Sequence, residues 1–150
     1  MSHSLMTDAD HIRNCIASYA KCLDFKDFDG LARVFTPDAV SVYPPPLQTY
    51  RGVGELQEGM ERLLRSFKSQ HNITTQTIEI TSPNTAYAES YVWAGHWRQD
   101  IKEDNYVYMM GCYQDKLLKT NSVDGKSWKI QGRNVIPLGV PLGNVGLLGL

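Results

Sequence analysis

Apolar residues recur with helical spacing at the start of the chain. Ile12, Cys15, Ile16, Tyr19, Ala20 and Leu23 fall at i, i+3, i+4 and i+7 behind Thr7 and Asp8, either of which suits a helix N-cap. The spacing predicts an amphipathic helix ending near Asp24. Phe28, Leu31 and Phe35 predict a second, short helix over 27–35, interrupted by Pro37. Residues 39–43 read as a strand, and Pro44-Pro45-Pro46, which cannot donate ladder hydrogen bonds, read as a stiff extended loop. Leu56, Met60, Leu63, Leu64 and Phe67 predict a third helix over 53–67, with Gly52 and Gly54 in the turn before it.

From His71 the period shifts toward alternation. Strands are predicted over 71–80, 85–99, 106–119 and 126–136, separated by turn residues at Pro83-Asn84, 102–105 and 121–125. Helices followed by a meander of long strands define an α+β class. The expected architecture is a cone-shaped α+β barrel: three N-terminal helices on a strongly curved, mainly antiparallel sheet that encloses a pocket.

The strand over 85–99 separates two kinds of side chain. Ala86, Ala88, Ser90, Val92, Ala94 and His96 share one face; Tyr87, Tyr91, Trp93 and Trp97 share the other. With the small face inward, His96 has open space beside it and the aromatic face packs on another surface, such as a neighbouring subunit. The opposite orientation, with aromatics lining the cavity and His96 outside, satisfies the same alternation.

Composition narrows the partners. A chain of 150 residues is the size of one domain, and a net charge of −1 with dispersed charges gives no footprint for nucleic acid or an acidic membrane surface. No stretch approaches the ~20 apolar residues of a membrane span, and Met1-Ser2-His3-Ser4 does not open a charged leader, so a soluble, cytoplasmic protein is expected. Cys15, Cys22 and Cys112 lack metal-ligand spacing and lie in apolar patterns, as reduced core thiols do.

Three residues carry candidate chemistry. Asp24 supplies a carboxylate at the border of the first helix's buried stripe, near the end where the helix dipole disfavours a negative charge, so some partner must stabilise it. His71 and His96 supply imidazoles that exchange protons near neutral pH. Plainer readings exist for each: a solvated or turn-forming Asp24, a loop histidine at 71, a satisfied core or surface histidine at 96, and for Tyr43 an aromatic packed on the proline loop.

The run from Tyr19 to Ala39, with its Leu-Asp-x-x-Asp-x-x-x-Leu-x-x-x-Phe-x-x-Asp-Ala pattern, then Gly52 before the third helix and Gln70-His71, resembles the SnoaL-like and scytalone dehydratase-like branch of the nuclear-transport-factor-2-like superfamily. The resemblance implies that Asp24, His71, His96 and Tyr43 are catalytic, that the site uses no cofactor and no metal, and that the chain self-associates as a dimer or trimer. Tyr43 resembles one of two tyrosines that polarise a substrate carbonyl. The other is missing, because Leu23 precedes Asp24 where that family has tyrosine. Tyr108, Tyr113 or Gln114 on the third predicted strand is expected to compensate, and these three with Tyr19 are assigned to substrate binding.

The function implied is a cofactor-independent dehydratase, isomerase or cyclase acting on a small cyclic carbonyl compound, such as a polyketide or terpenoid intermediate of secondary metabolism. Asp24 would orient His71 or His96, that imidazole would remove a proton next to the carbonyl, and Tyr43 would hydrogen-bond the enolate oxygen. The alternatives are a noncatalytic ligand-binding or assembly protein and the small subunit of a ring-hydroxylating oxygenase. The tail over 137–150, apolar but broken by Pro and Gly, is expected to close the pocket as a lid or to dock on another surface.

Overall fold

A computed structural model describes residues 5–98, 105–121 and 127–149. Helix α1 (Asp8–Asp24) buries the expected stripe together with Cys22. Thr7 caps it: its hydroxyl accepts the Asp10 N–H at 3.2 Å, and the Asp10 carboxylate accepts the Thr7 N–H at 2.9 Å. Asp8 ties this end of the helix to the sheet by accepting hydrogen bonds from Trp128 Nε1 at 2.9 Å and Lys119 Nζ at 3.0 Å.

The helix expected over 27–35 is instead a five-residue 3-10 turn, Asp29–Arg33. Tertiary pairing ends it early. The Asp27 carboxylate takes the Gly30 N–H at 3.1 Å, and the Val34 carbonyl accepts the Ile130 N–H at 2.8 Å, which passes the backbone to the sheet. Strand β1 (Phe35–Val42) therefore opens four residues before the expected start. After a short β2 (Thr49–Arg51), helix α2 (Val53–Leu64) stops before Phe67, which begins β3 (Phe67–Ser82). β4 (Thr85–Arg98), β5 (Tyr106–Lys119), β6 (Trp128–Pro137) and β7 (Leu142–Gly143) complete the sheet. The turns predicted over 102–105 and 121–125 fall almost wholly outside the described residues.

The strand order is β2-β1-β6-β5-β4-β3, with β7 added to β5. All pairs are antiparallel except β1 with β6, whose register breaks between Phe35 and Val40 around Pro37, a residue with no N–H to contribute. The fold is thus the expected α+β cone, with two α-helices in place of three among the described residues. Its core, including Ile12, Ile16, Leu31, Phe35, Leu56 and Ile130, fills the space between the helices and the sheet.

On β4 the small face points inward. Ala86, Ala88, Ser90, Val92, Ala94 and His96 are buried, whereas Tyr91 and Trp93 are 47% and 39% exposed. Opposite them on β5, Met109, Gly111, Tyr113 and Asp115 pair with Ala94, Val92, Ser90 and Ala88 and share that inner face. Cys15, Cys22 and Cys112 are buried thiols, none of them in a disulfide among the described residues. Past β6 the chain crosses the open end of the cone. Gly143 pairs with Val107, the Asn144 N–H bonds the Tyr106 carbonyl at 2.8 Å, and a 3-10 turn over Val145–Leu148 follows. No helix among the described residues is long and apolar enough to cross a membrane.

Candidate active site

The concave side of the sheet, α1, α2, the proline loop and the tail enclose a largely apolar cavity of about 260 Å³. Tyr19, Leu23, Tyr43, His71, His96 and Tyr113 line it, along with Met60, Val92, Ala94, Met109 and Leu148. A larger groove of about 480 Å³ runs outside α1, past His11, Lys21 and Arg33, and touches none of the residues of interest. Size does not locate the chemistry; the convergence of polar groups on an apolar cavity does.

Asp24 finds its partner on β3. Its Oδ1 lies 2.7 Å from His71 Nδ1 and 2.9 Å from the Ser69 hydroxyl, and its Oδ2 accepts the His71 backbone N–H at 2.9 Å. Ser69 and His71, two residues apart on a strand, present side chains to the same face. Burial alone would raise the Asp24 pKa; the bonds from the His71 ring, the His71 backbone and Ser69 outweigh it and hold the carboxyl below its ordinary range. An ionised carboxylate only accepts, so the His71 Nδ1 carries a proton, and in the neutral form of the ring the lone pair is on Nε2. Of the two histidines, Asp24 orients His71.

His96 stands across from His71, ring centroids 5.4 Å apart and planes perpendicular. Burial, then the adjoining His71, push its pKa down to about 4, against an opposing contact with the Val107 backbone. Near pH 7 it is a neutral ring. Its buried Nδ1 has no hydrogen-bond partner among the described residues, so it is the atom a polar ligand group would satisfy.

The Tyr43 hydroxyl lies 2.6 Å from that of Tyr19, whose ring packs edge-on against His71 and Tyr113 at centroid distances of 6.3 and 5.6 Å. Tyr19 bridges His71 and Tyr43. Beneath these rings Arg133 donates to Asp115 from Nε at 2.7 Å and Nη2 at 2.8 Å, with its guanidinium 4.2 Å from the Tyr19 ring and 4.0 Å from the Tyr113 ring. Burial raises the pKa values of Tyr19, Tyr43 and Tyr113, so all three hydroxyls keep their protons.

The assigned residues therefore divide. Asp24, His71, His96, Tyr43, Tyr19 and Tyr113 meet in or beside one cavity, whereas Tyr108 and Gln114 do not reach it. Tyr108 packs outside the sheet against Trp93, Trp97 and Tyr106, and Gln114 donates to Glu89 at 3.2 Å. The pleat that turns Tyr113 inward turns the even-numbered Tyr108 and Gln114 to the other face. Ser69, Lys26, Asp115 and Arg133 were not singled out from the sequence, yet they support the site. No group of three or more His, Cys, Asp or Glu among the described residues is arranged to hold a metal ion.

A curved, mainly antiparallel sheet closed by helices over a buried cavity is the fold of the nuclear-transport-factor-2-like superfamily. Within it, the SnoaL-like domain model (SnoaL_4) matches residues 4–134, and the chain belongs to that family. Among solved structures, the fold is similar to that of the Kfla4162 protein of Kribbella flavida, with TM-score 0.81, 18% identity, and 95% of this chain and 97% of that one covered. It is similar to a protein of Novosphingobium aromaticivorans provisionally described as a scytalone dehydratase, with TM-score 0.78, 20% identity, and 91% and 87% covered. A hexachlorocyclohexane dehydrochlorinase, LinA type 2, gives TM-score 0.75, 15% identity, and 91% and 88% covered. No curated protein matches the chain.

Proposed function

We propose that this protein is a cofactor-independent acid/base enzyme, a dehydratase, isomerase or cyclase, whose substrate is a small cyclic carbonyl compound of the polyketide or terpenoid kind. The observation that carries the reading is the Asp24–His71 contact of 2.7 Å beside a mostly apolar cavity that also holds the Tyr19–Tyr43 hydroxyl pair and a His96 nitrogen without a partner among the described residues. The names of two structural relatives, a dehydratase and a dehydrochlorinase, describe eliminations and support the same class.

In this reading His71 Nε2 removes a proton from the carbon next to the carbonyl, and Asp24 stabilises the imidazolium that forms. The Tyr43 hydroxyl, held by Tyr19, donates to the oxygen as it becomes an enolate. Neutral His96 hydrogen-bonds the group that leaves or the carbon framework's second oxygen. The His71 proton then goes to a departing hydroxyl, giving water and an alkene, or returns at another carbon, giving an isomer. A cavity of about 260 Å³ suits one or two rings, set beside the ~150 Å³ that accommodates benzene.

The test is incubation with a panel of cyclic β-hydroxy ketones in deuterated water, followed by mass spectrometry and NMR. Deuterium uptake next to the carbonyl, with or without loss of water, that disappears in His71→Ala supports the proposal. Binding of these ketones without exchange or turnover by the unsubstituted protein favours a ligand-binding role and overturns it.

A further inference from the structure

Helix α1 ends with the Asp27 N–H on the Cys22 carbonyl at 2.8 Å and the Lys26 N–H on the Leu23 carbonyl at 3.3 Å, a closure that needs a left-handed residue between helix and loop. Glycine adopts that conformation freely. Here the position holds Lys26, with φ of 61°, the one non-glycine residue with positive φ among those described. A non-glycine residue held in this conformation beside a candidate site points to a role for its side chain. Lys26 Nζ lies 3.1 Å from the Leu23 carbonyl and 3.2 Å from Ser69 Oγ, and Ser69 lies 2.9 Å from Asp24 Oδ1. An ammonium only donates, so Ser69 accepts from Lys26 and its single proton is directed to Asp24.

We propose that Lys26 is a positioning residue for the Asp24–His71 pair: through Ser69 it locks the carboxylate against His71, and its ammonium offsets the carboxylate charge beside the two imidazoles. The proposal rests on the reading of Asp24 and His71 as a working pair. The charged and titratable groups that meet there are Asp24 and Lys26 from the end of α1, His71 from β3 and His96 from β4, with Ser69 and the Val107 backbone completing the polar contacts. Lys26 disfavours protonation of His96 while Asp24 favours it, and burial lowers the pKa of Lys26 itself against the pull of Asp24. The ammonium and the carboxylate are thus set against one another across Ser69, with both imidazoles in their field.

Lys26→Gly tests this directly, because glycine suits the left-handed backbone and folding is expected to survive its introduction. Lys26→Asn, also tolerant of that conformation, gives a second variant should the first fail to fold. Two NMR signals are read. The His71 Nδ1 proton, in a short bond to a carboxylate, is expected to resonate far downfield in the unsubstituted protein and to broaden through faster exchange in Lys26→Gly. The titration midpoint of the His96 ring is expected to rise by about 0.5 pH unit when the ammonium is removed, and to be held by Lys26→Arg. A His71 resonance or a His96 midpoint unchanged in the folded Lys26→Gly or Lys26→Asn protein overturns the proposal and leaves Lys26 a helix end. Absence of the downfield proton from the unsubstituted protein overturns the Asp24–His71 pairing itself, and the proposal with it.

Discussion

The hydroxyls of Tyr19 and Tyr43 meet at 2.6 Å, although the residue directly before Asp24 is leucine. Tyr19 lies four residues, about one helical turn, before Leu23 on the same face of α1, so the second tyrosine reaches Tyr43 from about 6 Å further back along the helix axis. A tyrosine pair is present, but displaced along the cone.

That displacement makes the two hydroxyls one unit. Tyr43→Phe and Tyr19→Phe are each expected to slow deuterium exchange into a ketone substrate about 10²-fold. The double variant is expected to fall little below the worse single variant, since residues in one hydrogen-bond array do not act additively. Exchange rates measured by NMR across the four proteins check this.

Asp24→Asn and His71→Gln are expected to reduce turnover by about 10²–10⁴-fold, the usual weight of a positioned general base. His96→Gln, which keeps a neutral hydrogen-bonding side chain, is expected to affect binding of the substrate more than the proton-transfer step. Turnover and affinity measured separately for the three variants distinguish these roles.

His96 also gives stability a pH signature. Its native pKa of about 4 lies below the ordinary histidine value, so the unfolded chain takes up a proton that the native chain refuses. The contribution of His96 to stability is expected to be full above about pH 6.5 and to fall as the pH drops toward 4, by on the order of 3 kcal/mol. Asp24, whose native pKa is lowered, contributes stability above the ordinary carboxylate pKa and loses it at still lower pH. Urea midpoints at pH 7 and pH 4.5 are expected to differ much less in His96→Phe than in the unsubstituted protein.

Asp115 and Arg133 are both fully buried and bound by two hydrogen bonds. Asp115→Ala is expected to destabilise the fold by about 3–5 kcal/mol, because it strands a guanidinium away from water. Replacing both partners, in Asp115→Leu with Arg133→Met, is expected to cost less than the single change. Denaturant unfolding of the three proteins gives the comparison.

Gly143 holds the tail on β5. Its φ is 97°, and a Cβ there would collide with the Tyr106 carbonyl. Gly143→Ala is expected to free residues 138–149, which include the pocket-lining Gly139, Pro141 and Leu148, while the core stays folded. Faster amide exchange confined to the tail, accompanied by weaker ligand binding, supports its role as a lid; unchanged binding assigns the tail to another surface.

Much of this arrangement was legible in the residues. Helix α1 follows from one apolar stripe behind Thr7 and Asp8, of which Thr7 is the cap, and β4 from the separation of small and bulky side chains. The direction in which β4 faced was not legible, since alternation is symmetric until a neighbouring element covers one side. The short helix over 27–35 failed because pairing of Val34 and Phe35 with β6 outweighs a weak helical pattern that contains Gly30. Ser69 stayed hidden because β3 begins at Phe67, before the alternation from which the strand was read. Asp115 and Arg133 sit eighteen positions apart on strands where polar residues ordinarily face water. The grouping of Tyr108, Tyr113 and Gln114 conflicted with strand parity, and only Tyr113 satisfies it.

Because β4 turns its even-numbered side chains inward, Val92 and Ala94 help set the size of the cavity, with Ala94 paired directly across from His71 on β3. A larger residue at 94 shortens the space beside His96, and a smaller one at 92 opens it toward β5. Ligand range is therefore expected to shift with either side chain, whereas a single residue deleted from the strand ahead of His96 would put Trp97 in its place and is expected to turn the imidazole out of the cavity.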